Sequence, residues 1–517
     1  MSFVIKSRWR KFTGLVLAGV LAGSMALQPA LAGDTGILAS ETGPEMILPK
    51  PRLELIDSRM VAEGVEHATY QGTLADGEPI MVQVIQADLH NPEVTVKPVA
   101  AQEGNYGKRE SVASLGARTG AVAAVNGGFY GTSPPYAPVG SVVIDGELQV
   151  ASDMYRTSLG WLEDGAVRFG YFNPQSYLEL DQGLRLPVAG INQVEEGGEG
   201  IILYTPEWGE TAGSPEETGV LAVLAPLEDG SYQVTGLVRG AAAMPAGGFV
   251  AGLPEEGPGV NELLPGTRVK VHLGQDPNWP GLKHLLTGGP LLVDGGRPVF
   301  QYALEGLAGT LAARHPRTAV GVTGDGKMML VTVDGRQPGV SVGATFEELA
   351  YLMAELGARQ AMGLDGGGST TAWVNGQVVN RVSDGSQRLV ANGLVVRSGI
   401  AVFIDGKRIY FDVPPRLEEG RTLVPLRAFF EALGATVDWQ EERKTVVAAK
   451  GNRSVELPVG AFSALVNGEE LSLDVPAKIV EGRTLVPLRF VGEALGAEVQ
   501  WDPAKIITVN SLEEVGQ

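Results

Sequence analysis

The chain has 517 residues, a formal net charge of −20, a hydrophobic fraction of 44%, 71 glycines, 32 prolines and no cysteine. Its length fits roughly three or four domains, and its apolar content excludes wholesale disorder. The missing cysteine excludes disulfides, thiolate catalysis, zinc fingers and iron–sulfur ligation, and the acidic balance argues against nucleic acid as a partner.

At the N-terminus Lys6, Arg8, Arg10 and Lys11 precede an apolar run from Leu15 to Leu27, followed by Ala30-Leu31-Ala32. A basic start, a short apolar stretch and an Ala-x-Ala end predict a signal peptide over 1–32, because the run is too short to cross a bilayer. Export to the cell surface or medium of a bacterium is the expected setting, with membrane contact only through this segment if it is uncleaved. A patternless, proline-bearing stretch over 33–60 reads as a linker.

From 61 to about 398, short apolar runs alternate with turn signals at Asp76-Gly77, Asp145-Gly146, Asp325-Gly326, Asp334-Gly335 and Asn375-Gly376, as hairpin connections would. Two helices stand out. One is expected around Ser111 to Ala117. The other starts at a Thr345/Glu348 capping box, runs through Leu349, Leu352, Met353 and Leu356, and stops at Gly357. The fold class is therefore α+β, a strand-rich mixed-sheet domain.

Residues 399–517 form a second, small α+β domain made of two repeats. Arg421-Thr422-Leu423-Val424-Pro425-Leu426-Arg427 recurs from Arg483 to Arg489, Glu431 to Ala435 recurs from Glu493 to Ala497, and Trp439 recurs as Trp501. Each copy reads as a hairpin, an extended Pro-bearing segment, a short helix ended by Gly, and a strand with its Trp. These repeats resemble the copper amine oxidase N-terminal, or stalk, domain. Residues 401–517 contain no His, Cys or Met, so the soft and imidazole ligands copper prefers are missing. The repeat arginines 421, 427, 483 and 489 are expected to pair carboxylates or cap carbonyls.

Three glycine turns carry the candidate chemistry. A buried run, Ala121 to Val125, breaks into Asn126-Gly127-Gly128-Phe129-Tyr130. A second turn is Thr287-Gly288-Gly289-Pro290. The capped helix leads to Leu364-Asp365-Gly366-Gly367-Gly368-Ser369-Thr370-Thr371. Glycines after a strand let backbone amides approach a ligand, and successive amides can form an anion-binding concavity. The third turn is neither a Walker A loop nor a nucleophile elbow, since the required Gly-Lys-Ser/Thr and final Gly are absent. Arginines lie nearby at 314, 317, 336 and 388, and a guanidinium fork matches phosphate oxygens.

Taken in order, the Asn126 turn, the Thr287 turn, Arg317-Thr318-Ala319-Val320-Gly321, Asp334-Gly335-Arg336, the Asp365 turn and Arg388 resemble the phosphodiester glycosidase family over about 90–396. Gly363 departs from it where the family often has Asn. The resemblance implies hydrolysis of a sugar-1-phosphodiester at its glycosidic bond, in an envelope or extracellular polysaccharide. It implies Asp365 as nucleophile, base or stabiliser, with Asp334 in reserve. Arg317, with Arg336 or Arg388 and the amides of Gly127, Gly128, Gly366 and Gly367, is expected to hold the phosphate. Asn126, Ser369 and Thr370 are expected to bind sugar hydroxyls or orient the carboxylate, with Thr287, Gly288, Gly289 and Gly368 in the binding surface. No cofactor or metal is expected. The competing reading is a non-catalytic module that binds a phosphodiester-linked glycan or wall polymer through the same residues.

Overall fold

Alternation of side chains along strands decides the architecture of the first domain. In the computed structural model, which describes residues 50–511 apart from 103–105, 107, 153, 194–199, 214–218, 275, 412, 419, 481 and 503–505, an eight-stranded antiparallel sheet is built in the spatial order Arg52–Ala62, Val65–Thr73, Pro79–Asp88, Lys327–Val333, Arg317–Thr323, Ala358–Gly363, Leu291–Asp294, Arg297–Pro298. The proposed signal peptide and the linker as far as residue 49 lie outside the described residues. Residues 52–60, expected as linker, form most of the edge strand. That strand is largely exposed and pairs only with Val65–Thr73, so backbone hydrogen bonding holds it and no apolar period announces it in sequence.

A five-stranded antiparallel sheet faces the first, in the order Gln377–Val378, Ala372–Val374, Ala123–Asn126, Asn392–Ser398, Val94–Ala100. Between the sheets lie Ile85, Val96, Val125, Val320, Leu330, Met362, Leu394 and Val396. Their neighbours in sequence point the other way, as a period of two requires. Val84, Ala319, Val331 and Ala361 meet the buried face of helix α2 (Phe346–Glu355), and Ala124 and Val395 meet helix α1 (Val112–Arg118). The result is a four-layer stack of helix, sheet, sheet and helix.

Both helices begin as expected. The Ser111 Oγ accepts from Ser114 N in α1, and the Thr345/Glu348 box is complete in α2. Leu356 caps α2 and Gly357 follows at φ +94°. The Asp-Gly and Asn-Gly turns at 76, 145, 325 and 375 join strands that pair as hairpins. Asp334-Gly335 does not. It leaves the strand Lys327–Val333 for a loop, because a Cβ at Gly335 would come within 2.6 Å of Pro316 N, and the chain there packs against the 315–316 backbone.

Residues between 142 and 287 form a separate twelve-stranded sheet with one parallel pair, Arg185–Ile191 beside Ile201–Tyr204. The repeats form a second core around Phe429, Phe430, Val486, Phe490 and Val491. Their matching segments Arg421–Pro425 and Arg483–Pro487 pair antiparallel, Val424 opposite Val486. Each leads straight into its helix, α3 (Leu426–Ala432) or α4 (Leu488–Leu495). The described residues from 50 on, repeats included, belong to one compact unit.

Candidate active site

The segment after Gly363 carries the chain from one sheet of the stack to the other. Ala358–Gly363 belongs to the eight-stranded sheet and Ala372–Val374 to the five-stranded one, so Asp365 to Thr371 is the crossover at their shared edge. The Asn126 turn lies at the same edge. Asp365 N donates to Gly127 O at 3.0 Å, and Asn126 Nδ2 donates to Asp365 O at 2.6 Å. Asn126 Oδ1 accepts from Thr318 Oγ1 at 2.7 Å and from Thr371 N at 3.1 Å. The two bends therefore share one locus. Asn126, wholly buried, ties the bends together through both ends of its amide and has little left for a sugar hydroxyl.

The Asp365 carboxyl lies at the bottom of this edge, with part of the residue open to solvent. Its Oδ1 accepts from Gly366 N at 3.0 Å, and the buried Ser369 hydroxyl also bonds it. Burial pushes its pKa up to about 6, against the opposing pull of Ser369, Arg388, the Gly366 N–H and Arg156. At neutral pH it is ionised yet poised, the state a general base or an electrostatic stabiliser needs.

The glycines after Asp365 make room for charged side chains. A Cβ on Gly366 would come within 2.8 Å of Pro316 O, one on Gly367 within 3.1 Å of Arg336 Nη2, and one on Gly368 would overlap the Asp384 carboxylate and the Arg388 guanidinium. Arg388 donates through Nε and Nη2 to Asp384 Oδ2 at 3.2 and 2.6 Å. Arg336 Nη1 lies 3.6 Å from Asp384 Oδ1. Two arginines thus share one carboxylate above the triple glycine, leaving a net positive charge beside Asp365.

The expected amide cradle is not free. Gly127 N and Gly128 N donate to the Asn392 carbonyl and side chain at 3.0 and 2.8 Å. Gly367 N donates to Pro316 O at 2.8 Å, and Gly366 N serves Asp365 itself. The turns close on themselves before any ligand is considered. Arg317 is likewise occupied: its Nε bonds Ala344 O at 2.8 Å, its Nη2 bonds Leu311 O and Ala313 O at 2.7 Å, and its guanidinium stacks 3.9 Å from the Phe346 ring. It braces the loop before its strand.

Asp334 is buried one layer back. It accepts from Asn380 Nδ2 and Arg381 N at 3.1 Å, and Asn380 in turn donates to Thr370 O at 3.2 Å. Burial raises its pKa despite those bonds. Thr287 is buried too, its Oγ1 accepting from Ser141 N at 2.9 Å and bonding the Ser158 hydroxyl at 2.7 Å. Gly288 and Gly289 donate to Thr157 O and Gly363 O, which links the twelve-stranded sheet to the stack. Thr370 keeps an unpaired buried hydroxyl. Arg314 grips Glu348 and Asp76 and holds the α2 cap.

Arg156 carries no signal in the sequence pattern. Its guanidinium stands 4.6 Å from the Phe129 ring, and buried Nε and Nη1 have no partner. Burial lowers its pKa first, while the charges of Glu305 and Asp365 raise it. Glu305, itself buried, accepts from Thr157 N, Thr157 Oγ1 and Leu291 N at 2.8 to 2.9 Å. Asp384, Asn380, Asn392 and Glu305 also went unread. Only Asp384, four residues before Arg388, carried a spacing that could have found it.

The fold and site therefore combine a layered sandwich, a carboxylate on its crossover and arginines around it. Residues 229–397 match the family model described as phosphodiester glycosidase, and residues 403–509 match that of the copper amine oxidase N-terminal domain. The chain is thus similar to phosphodiester glycosidases over the first stretch and to copper amine oxidase N-terminal domains over the second. The first match spans Thr287, Asp365 and the arginines at 317, 336 and 388, but not the Asn126 turn. An uncharacterized SPbeta prophage-derived protein of Bacillus subtilis is 40% identical over 86 residues, 17% of this chain and 13% of its own length. A hypothetical protein from Synechocystis is 24% identical with a TM-score of 0.59, over 68% of this chain and 64% of that one. A putative exported protein from Burkholderia pseudomallei is 22% identical with a TM-score of 0.58, over 68% and 99%. These two share the fold.

Proposed function

We propose that the protein hydrolyses the glycosidic bond of sugar-1-phosphodiesters, as an exported enzyme acting on phosphodiester-linked glycans of the envelope or extracellular matrix. The observation that carries this is the ionisable Asp365 carboxyl, oriented by Ser369 and Gly366 and acted on by the charges of Arg388 and of Arg156, whose buried Nε and Nη1 have no hydrogen-bond partner. Water attacks C1, the C1–O bond breaks, and the phosphate leaves as a monoester carrying one more negative charge. Asp365 stabilises the oxocarbenium-like state or takes the proton of water. Arg156, with Arg388 behind it, binds the diester and neutralises the charge that grows on departure. Phosphate leaves as a weak base, so a strong general acid is not required. Relative to the expectation from sequence, Arg156 replaces Arg317 as the phosphate ligand, and side chains replace backbone amides.

The test is an assay of the full chain against a panel of sugar-1-phosphodiesters, with products and anomer followed by NMR. Free sugar and a phosphomonoester are expected. Asp365→Asn should abolish turnover, and Arg156→Met should lower kcat/KM by about 100-fold, the usual scale for one charge-stabilising donor. Saturable binding without product would make the protein a glycan-binding module. Near-wild-type turnover in Asp365→Asn would remove Asp365 from the mechanism.

A further inference from the structure

A cavity of about 720 Å³ lies far from Asp365, where the first domain meets the repeats. Val122 and Asn375 line it. They flank the ends of the strands Ala123–Asn126 and Ala372–Val374 remote from Asn126 and Thr371, so the cavity opens at the other end of the five-stranded sheet. Its opposite wall comes from the repeats and includes Arg408, Tyr410 and Trp501.

Arg408 is 9% exposed, and its Nε and Nη1 are buried without a hydrogen-bond partner. The charges that act on it are those of Tyr410 and of a second cation, Arg397. The Tyr410 and Phe403 rings stand 5.4 and 5.7 Å from the Arg408 guanidinium, and the Tyr410 side chain is also among the groups that raise its pKa. Burial comes first among the causes that lower the Arg408 pKa to about 10, so the side chain stays charged at neutral pH. A buried guanidinium with unpaired N–H groups is costly unless an anion meets it, and Nε and Nη1, which point to different sides of the group, each offer a carboxylate or a phosphate a single charged hydrogen bond. Around it the wall is apolar: Trp501 is 46%, Leu417 59% and Met60 64% exposed, surfaces a soluble protein usually covers when they cluster. Glu63 and Glu93 complete the rim and select against a bare polyanion.

We infer that this junction cavity binds an acidic sugar, its ring laid on Trp501 and its carboxylate or phosphate held by Arg408. The volume accommodates two or three rings. The site stands apart from Asp365, so the enzyme has a second point of attachment to an anionic glycan, independent of its hydrolytic reading.

Titration calorimetry of the full chain tests this with D-galacturonic acid, α-D-glucose 1-phosphate and neutral methyl α-D-glucoside. At least one acidic probe should bind saturably and the neutral one about tenfold more weakly. Arg408→Gln should weaken the acidic probe about tenfold or more, as loss of a charged hydrogen bond does. Exposed Trp501→Ala should weaken it severalfold without loss of folding, and Asp365→Asn should leave this binding in place. Whichever acidic probe binds names the anion. Equal affinity in the wild type, Arg408→Gln and Trp501→Ala, equal binding of the neutral sugar, or no saturable binding of either acid would overturn the assignment. Turnover of phosphodiesters is measured on the same variants, so failure of this site and failure of the Asp365 reading are told apart.

Discussion

Asp365 couples activity to stability in opposite directions. Its pKa is raised from 3.8 to about 6 in the native state. A carboxyl so shifted favours folding only while protonated. That contribution is full below about pH 4 and disappears as pH rises through 6, a swing of about 3 kcal/mol at most. Above pH 7 the native state therefore holds a charge it would rather not bury. Asp365→Asn, which keeps an oxygen for Gly366 N, should raise the melting temperature at pH 8 and leave it unchanged near pH 4. Turnover should climb with pH through about 6 and level off, and calorimetry beside a pH–rate profile checks both. The carboxylate itself was legible in sequence because three glycines after one Asp need a reason. Arg156 was not, because an arginine in a strand-rich stretch looks like any surface arginine until its partners are found missing.

At the scale of elements, the crossover from Asp365 to Thr371 is the part most constrained by space. Gly367 adopts φ +60°, and Gly368 sits where any Cβ would displace the Asp384–Arg388 pair. Those are ends of flexible side chains, so the fold can yield while the charge arrangement cannot. Gly368→Ala should cut kcat/KM by more than tenfold at a cost in stability of about 1 kcal/mol, measured by kinetics and denaturant titration. The helices, four of the five hairpin turns and the duplicated segment were readable because each rests on local chemistry: a capping box, a positive-φ pair, a repeated Pro-bearing strand. The exposed edge strand Arg52–Ala62 and the loop at Asp334 were not, since each is decided by what lies beside it.

In the whole molecule the two domains are docked closely but keep separate cores. A Cβ on Gly120 would come within 2.9 Å of Ala401 Cβ, and Trp373 meets Tyr410 edge-on with ring centroids 6.0 Å apart. Phe430 is fully buried in the core of the repeats. Phe430→Ala should cost that core about 3–5 kcal/mol and lower its melting by calorimetry, while hydrolysis persists below the new transition. A single transition that takes activity with it would show that the two cores unfold as one. Two of the four repeat arginines make bonds of the expected kind: Arg421 bonds Asp474 at 2.6 Å and Arg427 bonds Val437 O at 3.1 Å.

Sequence alone determined the class of each domain, the duplication near the C-terminus, and the Asp and Asn glycine turns one by one, because glycine patterns and short-range periods are properties of neighbouring residues. The tertiary structure decided which groups remain available to a ligand. Gly127, Gly128, Gly366 and Gly367 are consumed internally and Arg317 is tied to three carbonyls, whereas Arg156 and Arg408 are left with idle donors. Whether a polar group is satisfied depends on partners far along the chain, 264 residues away for Gly128 and Asn392, and no local pattern in a chain records that.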